Sequence, residues 1–380
     1  MTTHSIRVAW DNSLTRRNPT GTGVYAAQLI RELSAIPEMQ LTVLEGWDPA
    51  KRKRGEFGSQ GVVARGARAL SGLLWHHGYL PLMLRRGRFD VLHCPAFVIP
   101  SFCPCPAVVT IHDLSFRRFP GQFERRWQSY LNRFMPRILR SAAGVICVSE
   151  FTKQELLAFY AVDPAKLHVV YHGIDHTRFK PGVALDSDWA RSVGLSRDYL
   201  LHVGTVSERK NIPLLLRALA SLKARGRLGN LQLLLAGPEL SVLSGASDIR
   251  QAVQKLGLGE VVVFAGQVPD QHLPGLYAQA RLLLMPSFYE GFGLPVLESM
   301  ASGTPLVASD AASLPEIAGG AAVLAPPDDD AAWATAILEI LESPAKAAGL
   351  RQRGLARARE FSWQRAASET AAIYRGVVGR

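Results

Sequence analysis

Cysteine is scarce in this chain: Cys94, Cys103, Cys105 and Cys147 are the four among 380 residues. So few cannot build a disulfide framework, and the expectation is a reducing, cytoplasmic setting. Cys103-Pro104-Cys105 lacks the two-residue spacer and the second pair of a zinc site, so packing or chance accounts for it better. Long apolar runs are missing too. Leu231–Ala236 and Leu282–Met285 fall far short of the ~20 residues that cross a bilayer. The opening MTTHSIRVAW enters a strand-like segment without the basic-then-apolar pattern of a secretory signal. No G-x-x-x-x-G-K-[ST] occurs, which leaves a Walker-type triphosphatase unsupported. No short repeat or low-complexity tract is visible.

What is present describes a folded chain. Hydrophobic residues make up 48% and charged residues 20%, enough apolar surface to offset the entropy of ordering. The length suits two domains rather than one core. Net charge is +11, and residues 1–180 hold all of the surplus, with 24 Lys and Arg against 13 Asp and Glu. A one-sided positive field points to an anionic partner for that half: nucleic acid, an acidic membrane or a phosphorylated substrate. Nucleic acid fares poorly, because the basic residues are not interleaved with aromatics in a binding-module pattern.

Short runs of Val, Ile and Leu alternate with helical patterns from end to end. Strands are expected at Ile6–Trp10, Leu41–Leu44, Val91–Cys94, Ala107–Ile111, Gly144–Val148 and Leu167–Tyr171. A second series follows at Tyr199–Val203, Leu231–Ala236, Val261–Ala265, Leu282–Met285, Pro305–Ala308 and Ala322–Leu324. Continuous apolar strands of this kind are buried on both faces of a parallel sheet. Helices between them, such as Val24–Ile36, Phe123–Leu139, Ile212–Ala224 and Gly293–Ala301, make two βαβ series. The fold class is therefore α/β, with two Rossmann-like doubly wound domains. The loop-like segment Lys180–Asp188 sets the boundary, giving domains 1–180 and 181–360. Two such domains facing each other would form an interdomain cleft lined by the carboxyl ends of the strands, where ligands bind.

The loops after those strands hold the candidate residues. Asn18–Gly23 carries Gly21 and Gly23 ahead of a helix, whose N-terminus offers N–H groups to an anion. Ala26 stands where a dinucleotide fingerprint wants its third glycine, and a plain strand-to-helix turn explains the loop equally well. Thr110–Asp113 ends a buried strand, and His112 there can donate to a sugar hydroxyl or be satisfied by local backbone. Gly204–Asn211 follows the first strand of the second series, and its Arg209 and Lys210 suit a phosphate or diphosphate. Glu290-Gly291-Phe292-Gly293 follows a strand, and Glu298 lies on the next helix. Paired carboxylates accept hydrogen bonds from vicinal hydroxyls, so sugar and ribose are natural partners, and Glu298 among Leu294, Val296, Leu297 and Met300 has no packing purpose. Asp328–Asp330 superficially fits a metal-binding D-x-D, but Pro326-Pro327 before it and a helix after it favour N-capping.

Glu290 to Glu298 resembles the E-x7-E signature of family 4 glycosyltransferases, the retaining enzymes of GT-B architecture. The resemblance covers nearly the whole chain. Gly21–Gly23, Thr110–Asp113, Val148–Glu150, Tyr171–Asp175, Gly204–Asn211, Glu290–Gly303 and Phe361–Trp363 occur in the family's order. It implies that Arg209 and Lys210 neutralise a donor diphosphate at Gly204 and that Glu298 holds the nucleotide ribose. Glu290, with the N–H groups of Gly291, Phe292 and Gly293, would hold the transferred sugar. His112 would contact that sugar from the other domain, and the Gly21–Gly23 loop would close over phosphates or acceptor. Many members have Arg where this chain has Thr205, a departure associated with mannosyltransferase-like branches. The resemblance also implies that helix 361–380 crosses back onto the first domain.

The expectation is a retaining, metal-independent hexosyltransferase without a cofactor, its nucleotide-diphosphate sugar being a substrate. GDP-mannose is the first choice of donor, and a saccharide or polyprenyl-diphosphate-linked saccharide is the acceptor. A sugar-nucleotide epimerase or hydrolase of the same fold is the alternative, with a nucleic-acid-binding protein behind it. Residues 51–54 (Lys-Arg-Lys-Arg) and 67–88 combine basic residues with Leu74, Trp75, Leu80, Leu82 and Leu84. They suit either peripheral contact with the inner face of an anionic membrane or a helix packed on the sheet.

Overall fold

Each of the twelve apolar runs becomes a parallel strand in a computed structural model of the chain, which describes residues 5–15, 20–46, 72, 74–237 and 246–379. The chain divides into two compact units. The first comprises residues 1–112, 129–171 and 363–380; the second comprises 113–128 and 172–362. This division differs from a boundary at 180. Arg178 bonds Asp270 at 2.7 Å and Phe179 packs edge-on against Tyr277, which ties the segment after Tyr171 to the second unit. Residues 113–128 join it as well, with the Leu114 N–H on the Tyr289 hydroxyl at 2.8 Å.

The first unit holds β1 (Ile6–Asp11), β2 (Met39–Leu44), β3 (Val91–Cys94), β4 (Ala107–Ile111), β5 (Gly144–Cys147) and β6 (Leu167–Val169), in the sheet order β2-β1-β3-β4-β5-β6. Its helices include α1 (Gly21–Ser34), α2 (Leu80–Gly87) and most of α3 (Arg125–Ser141), followed by α4 (Glu150–Phe159), whose Ser149 caps the Thr152 N–H. The core packs Trp10, Tyr25, Leu29 and Leu33 against Trp363 and Tyr374.

The second unit repeats the plan with β7 (Tyr199–Val203), β8 (Gln232–Ala236), β9 (Val262–Gly266), β10 (Leu282–Met285), β11 (Leu306–Ser309) and β12 (Val323–Ala325). Their order, β12-β11-β10-β7-β8-β9, is the dinucleotide-fold order 3-2-1-4-5-6 written backwards. Its helices include α5 (Ile212–Ala224), α6 (Ala246–Lys255), α7 (Leu273–Gln279), α8 (Leu294–Ala301), α9 (Asp330–Leu341) and α10 (Pro344–Ala358). In α5 the fully buried Leu215, Ala218, Leu219 and Leu222 recur at helical spacing and press Leu233 and Leu235 of β8 into one core with Trp333. Asp329 caps α9 through the Ala332 N–H, which accounts for the acidic run there. The last helix, α11 (Trp363–Val378), belongs to the first unit. Among the described residues, no helix is long and apolar enough to cross a membrane.

Candidate active site

In a sheet ordered 3-2-1-4-5-6 the crossovers leave in opposite directions from the two central strands, opening a crevice beyond their carboxyl ends. In the second unit those strands are β7 and β10, paired at Leu201 and Leu283. The loop leaving β7 carries Arg209 and Lys210; the loop leaving β10 carries Glu290. Residues 80 and 81 positions apart in sequence meet there. Lys210 Nζ donates to Glu290 Oε1 at 2.5 Å, and Arg209 Nη1 donates to Glu290 Oε2 at 3.0 Å and to the Tyr289 carbonyl at 3.2 Å.

The surrounding chain is built to hold that geometry. Gly204, at φ 155°, is where a Cβ would come within 2.9 Å of Lys210 Cε, so a side chain there would push the lysine off its path. Asn211 adopts the left-handed conformation at φ 53° and donates Nδ2–H to the carbonyls of Pro286 at 3.2 Å and Pro327 at 2.6 Å. It thereby joins the loop after β7 to the one after β10. Gly293, at φ 97°, starts α8, and the Ser313 hydroxyl lies 2.9 Å from the carbonyls of both Glu290 and Phe292.

Electrostatics follow from burial and pairing. Burial alone would raise the Glu290 carboxyl, but the Lys210 and Arg209 charges overcome it and hold it down at about 2. Burial lowers the Lys210 ammonium against the opposing pull of Glu290. Burial also works against the Arg209 guanidinium, yet Glu290 and Asp113 keep it above its ordinary value. The site is a buried trio of two cations and one anion. It carries one net positive charge at the head of two strands. Beneath it His202 is pushed down to about 4 by burial. Its Nδ1–H donates to the Leu284 carbonyl at 2.9 Å, while Nε2 is buried without a partner.

Glu298, on α8, is partly buried and accepts from the Tyr277 hydroxyl at 2.6 Å. Burial raises its carboxyl to about 7, with the Tyr277 bond opposing. It is therefore poised to change charge near neutral pH. In the first unit, Gly21 and Gly23 form the first turn of α1 after Thr20. His112 faces the Pro95 carbonyl through Nε2 at 2.8 Å. A carbonyl only accepts, so Nε2 carries a proton.

The model of the group 1 glycosyl transferases matches residues 188–357, and the Glycosyltransferase Family 4 model matches residues 19–178. The O-antigen chain mannosyltransferase B of Escherichia coli is 30% identical over 372 residues, covering 94% of this chain and 96% of that protein. The chain is a family 4 glycosyltransferase. This mannosyltransferase-like enzyme is also 31% identical over 318 residues to an MMP alpha-(1->4)-mannosyltransferase of Mycolicibacterium hassiacum, covering 78% and 72% of the two chains. A crystal structure of an Anabaena protein in complex with UDP and glucose superposes with a TM-score of 0.72 at 20% identity over 97% of this chain and 98% of that one. The architecture of the glycosyltransferase is GT-B.

Several residues of the glycosyltransferase escaped the sequence reading. Tyr277 lies on α7, which Pro274 and Gly275 disguise as a loop; Gly275 is needed because a Cβ there would meet the Ala184 carbonyl oxygen at 2.3 Å. Asn211 sat in a recognised motif without a role, although Asn before Ile-Pro is itself a left-handed helix-start signal. Asp11 and His76 gave no signal at all. The basic run 51–54 and residues 67–71 and 73 lie outside the described residues. From 74 onward the segment is a π-helix (Trp75–Tyr79) running into α2. Trp75 was expected among membrane-facing residues, but it is buried, and its indole N–H donates to Asp11 Oδ1 at 3.1 Å. Leu74, Tyr79 and Leu82 are the exposed apolar residues of that segment.

Proposed function

We propose that the glycosyltransferase transfers mannose from GDP-mannose, with retention and without a metal, to a saccharide acceptor that is lipid-linked through a polyprenyl diphosphate. The observation that carries the reading is the meeting of Arg209, Lys210 and Glu290 at the switch point of the second sheet. Lys210 has three N–H donors and Arg209 five, so each can hold Glu290 and a diphosphate oxygen together. Glu298 then accepts from the ribose hydroxyls. Glu290, with the N–H groups of Gly291 to Gly293, takes hydroxyls of the transferred sugar. His112 and the Gly21–Gly23 turn belong to the acceptor side. The chemistry is front-face displacement, the diphosphate departing as the acceptor hydroxyl attacks, and the two cations stabilise the charge of the leaving group where it is generated. No protein nucleophile is assigned.

Mannose is supported by the names of the two relatives, and the nucleotide-sugar donor by the UDP and glucose of the superposed structure. Peripheral contact with an anionic membrane is supported by the charge of the first half and by Leu74, Tyr79 and Leu82 beside exposed Arg85 and Arg86. The deciding experiment incubates the protein with a panel of nucleotide sugars, with and without a lipid-linked saccharide, and measures nucleoside diphosphate released. Release from GDP-mannose that depends on acceptor is the expected result. Equal release without acceptor would point to hydrolysis or epimerisation, and no release from any sugar nucleotide would end the proposal. Flotation with anionic and neutral liposomes tests the membrane contact; equal recovery on both would remove it.

A further inference from the structure

The first sheet has a switch point of its own, between β1 and β3, and Asp11 is the last residue of β1. Asp11 and His76 form a buried ion pair there, Nε2 to Oδ2 at 3.1 Å, with side chains 4% and 7% exposed. The pair is fully enclosed by partners. Asp11 Oδ1 accepts from the Ser13 N–H and the Trp75 indole, each at 3.1 Å. His76 Nδ1 faces the Gly72 carbonyl at 2.9 Å.

The contacts define the protonation state. One ring nitrogen faces a carbonyl and the other a carboxylate, and neither partner can donate while Asp11 is ionised, so both nitrogens carry hydrogen. His76 is an imidazolium. Burial opposes this charge, but Asp11 raises the ring above its ordinary 6.5. Burial likewise opposes the Asp11 charge, and His76 overcomes it to hold the carboxyl below 3.8. Ser13 Oγ lies 3.4 Å from the same Nε2 that faces Asp11, so no base is oriented to take its proton and the trio is not a nucleophilic triad.

What the pair does is join chain segments. It fastens the exit of β1, which leads on to the first turn of α1, to the π-helix Trp75–Tyr79, a distortion frequently found at functional sites. Apolar residues of the same volume would hold such a contact at least as strongly. A charged pair instead fixes one geometry. We propose that Asp11–His76 is an acceptor-positioning pair that sets Asn12–Thr15, the residues leaving β1, for the saccharide acceptor; this rests on the reading that the first unit takes the acceptor. The neighbouring titratable groups among the described residues are the Cys94 thiol on β3, which burial pushes well up and keeps neutral, and His77, which burial and then His76 and Arg137 push down. Because the His76 value is raised, the pair is intact below about 6.5 and is lost as pH rises through the raised value.

Two measurements test the proposal on the full chain. Hydrogen exchange of residues 74–79, corrected for intrinsic rate, is followed across the alkaline range in the native protein, His76→Gln and Asp11→Asn. Protection should fall with rising pH in the native protein and be low at every pH in both variants. Kinetics with GDP-mannose and octyl α-mannoside as probes should show the acceptor KM raised about tenfold in His76→Gln, the weight of one charge-assisted contact, with donor KM and kcat nearly unchanged. The alkaline rise in acceptor KM should vanish in that variant. Native-like protection in both variants, an unchanged acceptor KM, or an equal rise in donor KM would overturn the proposal. Absence of turnover by the native protein with these probes counts against the substrate reading alone, and the pair is then judged by exchange.

Discussion

Replacing Glu290 by Gln removes the anion that bonds two buried cations, and the structure sets the size of the effect. Holding a carboxyl at about 2 against its ordinary 4.5 corresponds to about 3 kcal/mol. Breaking a buried pair by removing one partner costs about 3–5 kcal/mol, much of it the stranded charge. The two routes agree because the side chains are only 9% and 6% exposed, so solvent screens little. Glu290→Gln should therefore lose about 3 kcal/mol in urea unfolding at pH 7. The sign with pH is fixed: the carboxylate contributes above 4.5 and its contribution fades as pH falls toward 2, so the gap between the two proteins should narrow in acid. Sharper is the ligand arm. With their counter-ion gone, Arg209 and Lys210 should bind GDP more tightly, giving a larger Tm rise than in the native protein, while transfer slows for want of a sugar contact. Equal stability at pH 7, or weaker GDP binding in the variant, would refute the assignment of these cations to the diphosphate.

Lys210→Ala should slow transfer at least tenfold and raise the GDP dissociation constant, since a charge-assisted phosphate contact is worth ~1.5–3 kcal/mol; isothermal titration and initial rates check both. If Glu298 holds the donor ribose as proposed, donor KM should rise as pH falls from 8 to 6, because its carboxyl is raised to about 7 and only the ionised form can accept from both hydroxyls. Glu298→Gln should flatten that profile. Tyr277→Phe, by removing the bond that opposes the rise, should move its limb to higher pH. Tyr374→Phe should lower stability by about 1–3 kcal/mol. Its hydroxyl lies 2.5 Å from His93 Nδ1 in a fully buried chain that continues through Thr110 to Tyr25, and a thermal melt would report the loss.

Strand positions were legible because a strand buried on both faces is a short continuous apolar run, as in Ala107–Ile111 or Leu282–Met285, too short for a helix. The candidate residue types after β7 and β10 were legible for the same reason: once strands are placed, their carboxyl ends are placed. Partnership was not. That Glu290 bonds both Arg209 and Lys210, or that Tyr277 bonds Glu298, depends on which loops the sheet order brings together. Pro274 and Gly275 give 273–279 no helical signal, yet it is helix α7, with Gly275 set close against the Ala184 carbonyl. Asp11 and His76 lie on different elements far apart in the chain, beyond the reach of any local periodicity, and a lone Asp ending a strand carries no motif. Trp75 misled because an apolar, Arg-flanked segment reads alike whether it faces lipid or a sheet.

Ribosomes release this chain from its amino end, and the path of α11 makes the order of completion the reverse of the order of synthesis. Residues 172–362 lie wholly before Trp363, so the second unit can close as soon as they emerge. The first unit, begun earlier, must wait. Until Trp363, Ala367 and Tyr374 arrive, Tyr25, Leu29 and Leu33 lack part of the core that covers them. A chain truncated just before α11 would thus carry a complete second unit together with an exposed apolar surface, the kind of surface holding chaperones bind. The half of the protein made first is the half finished last.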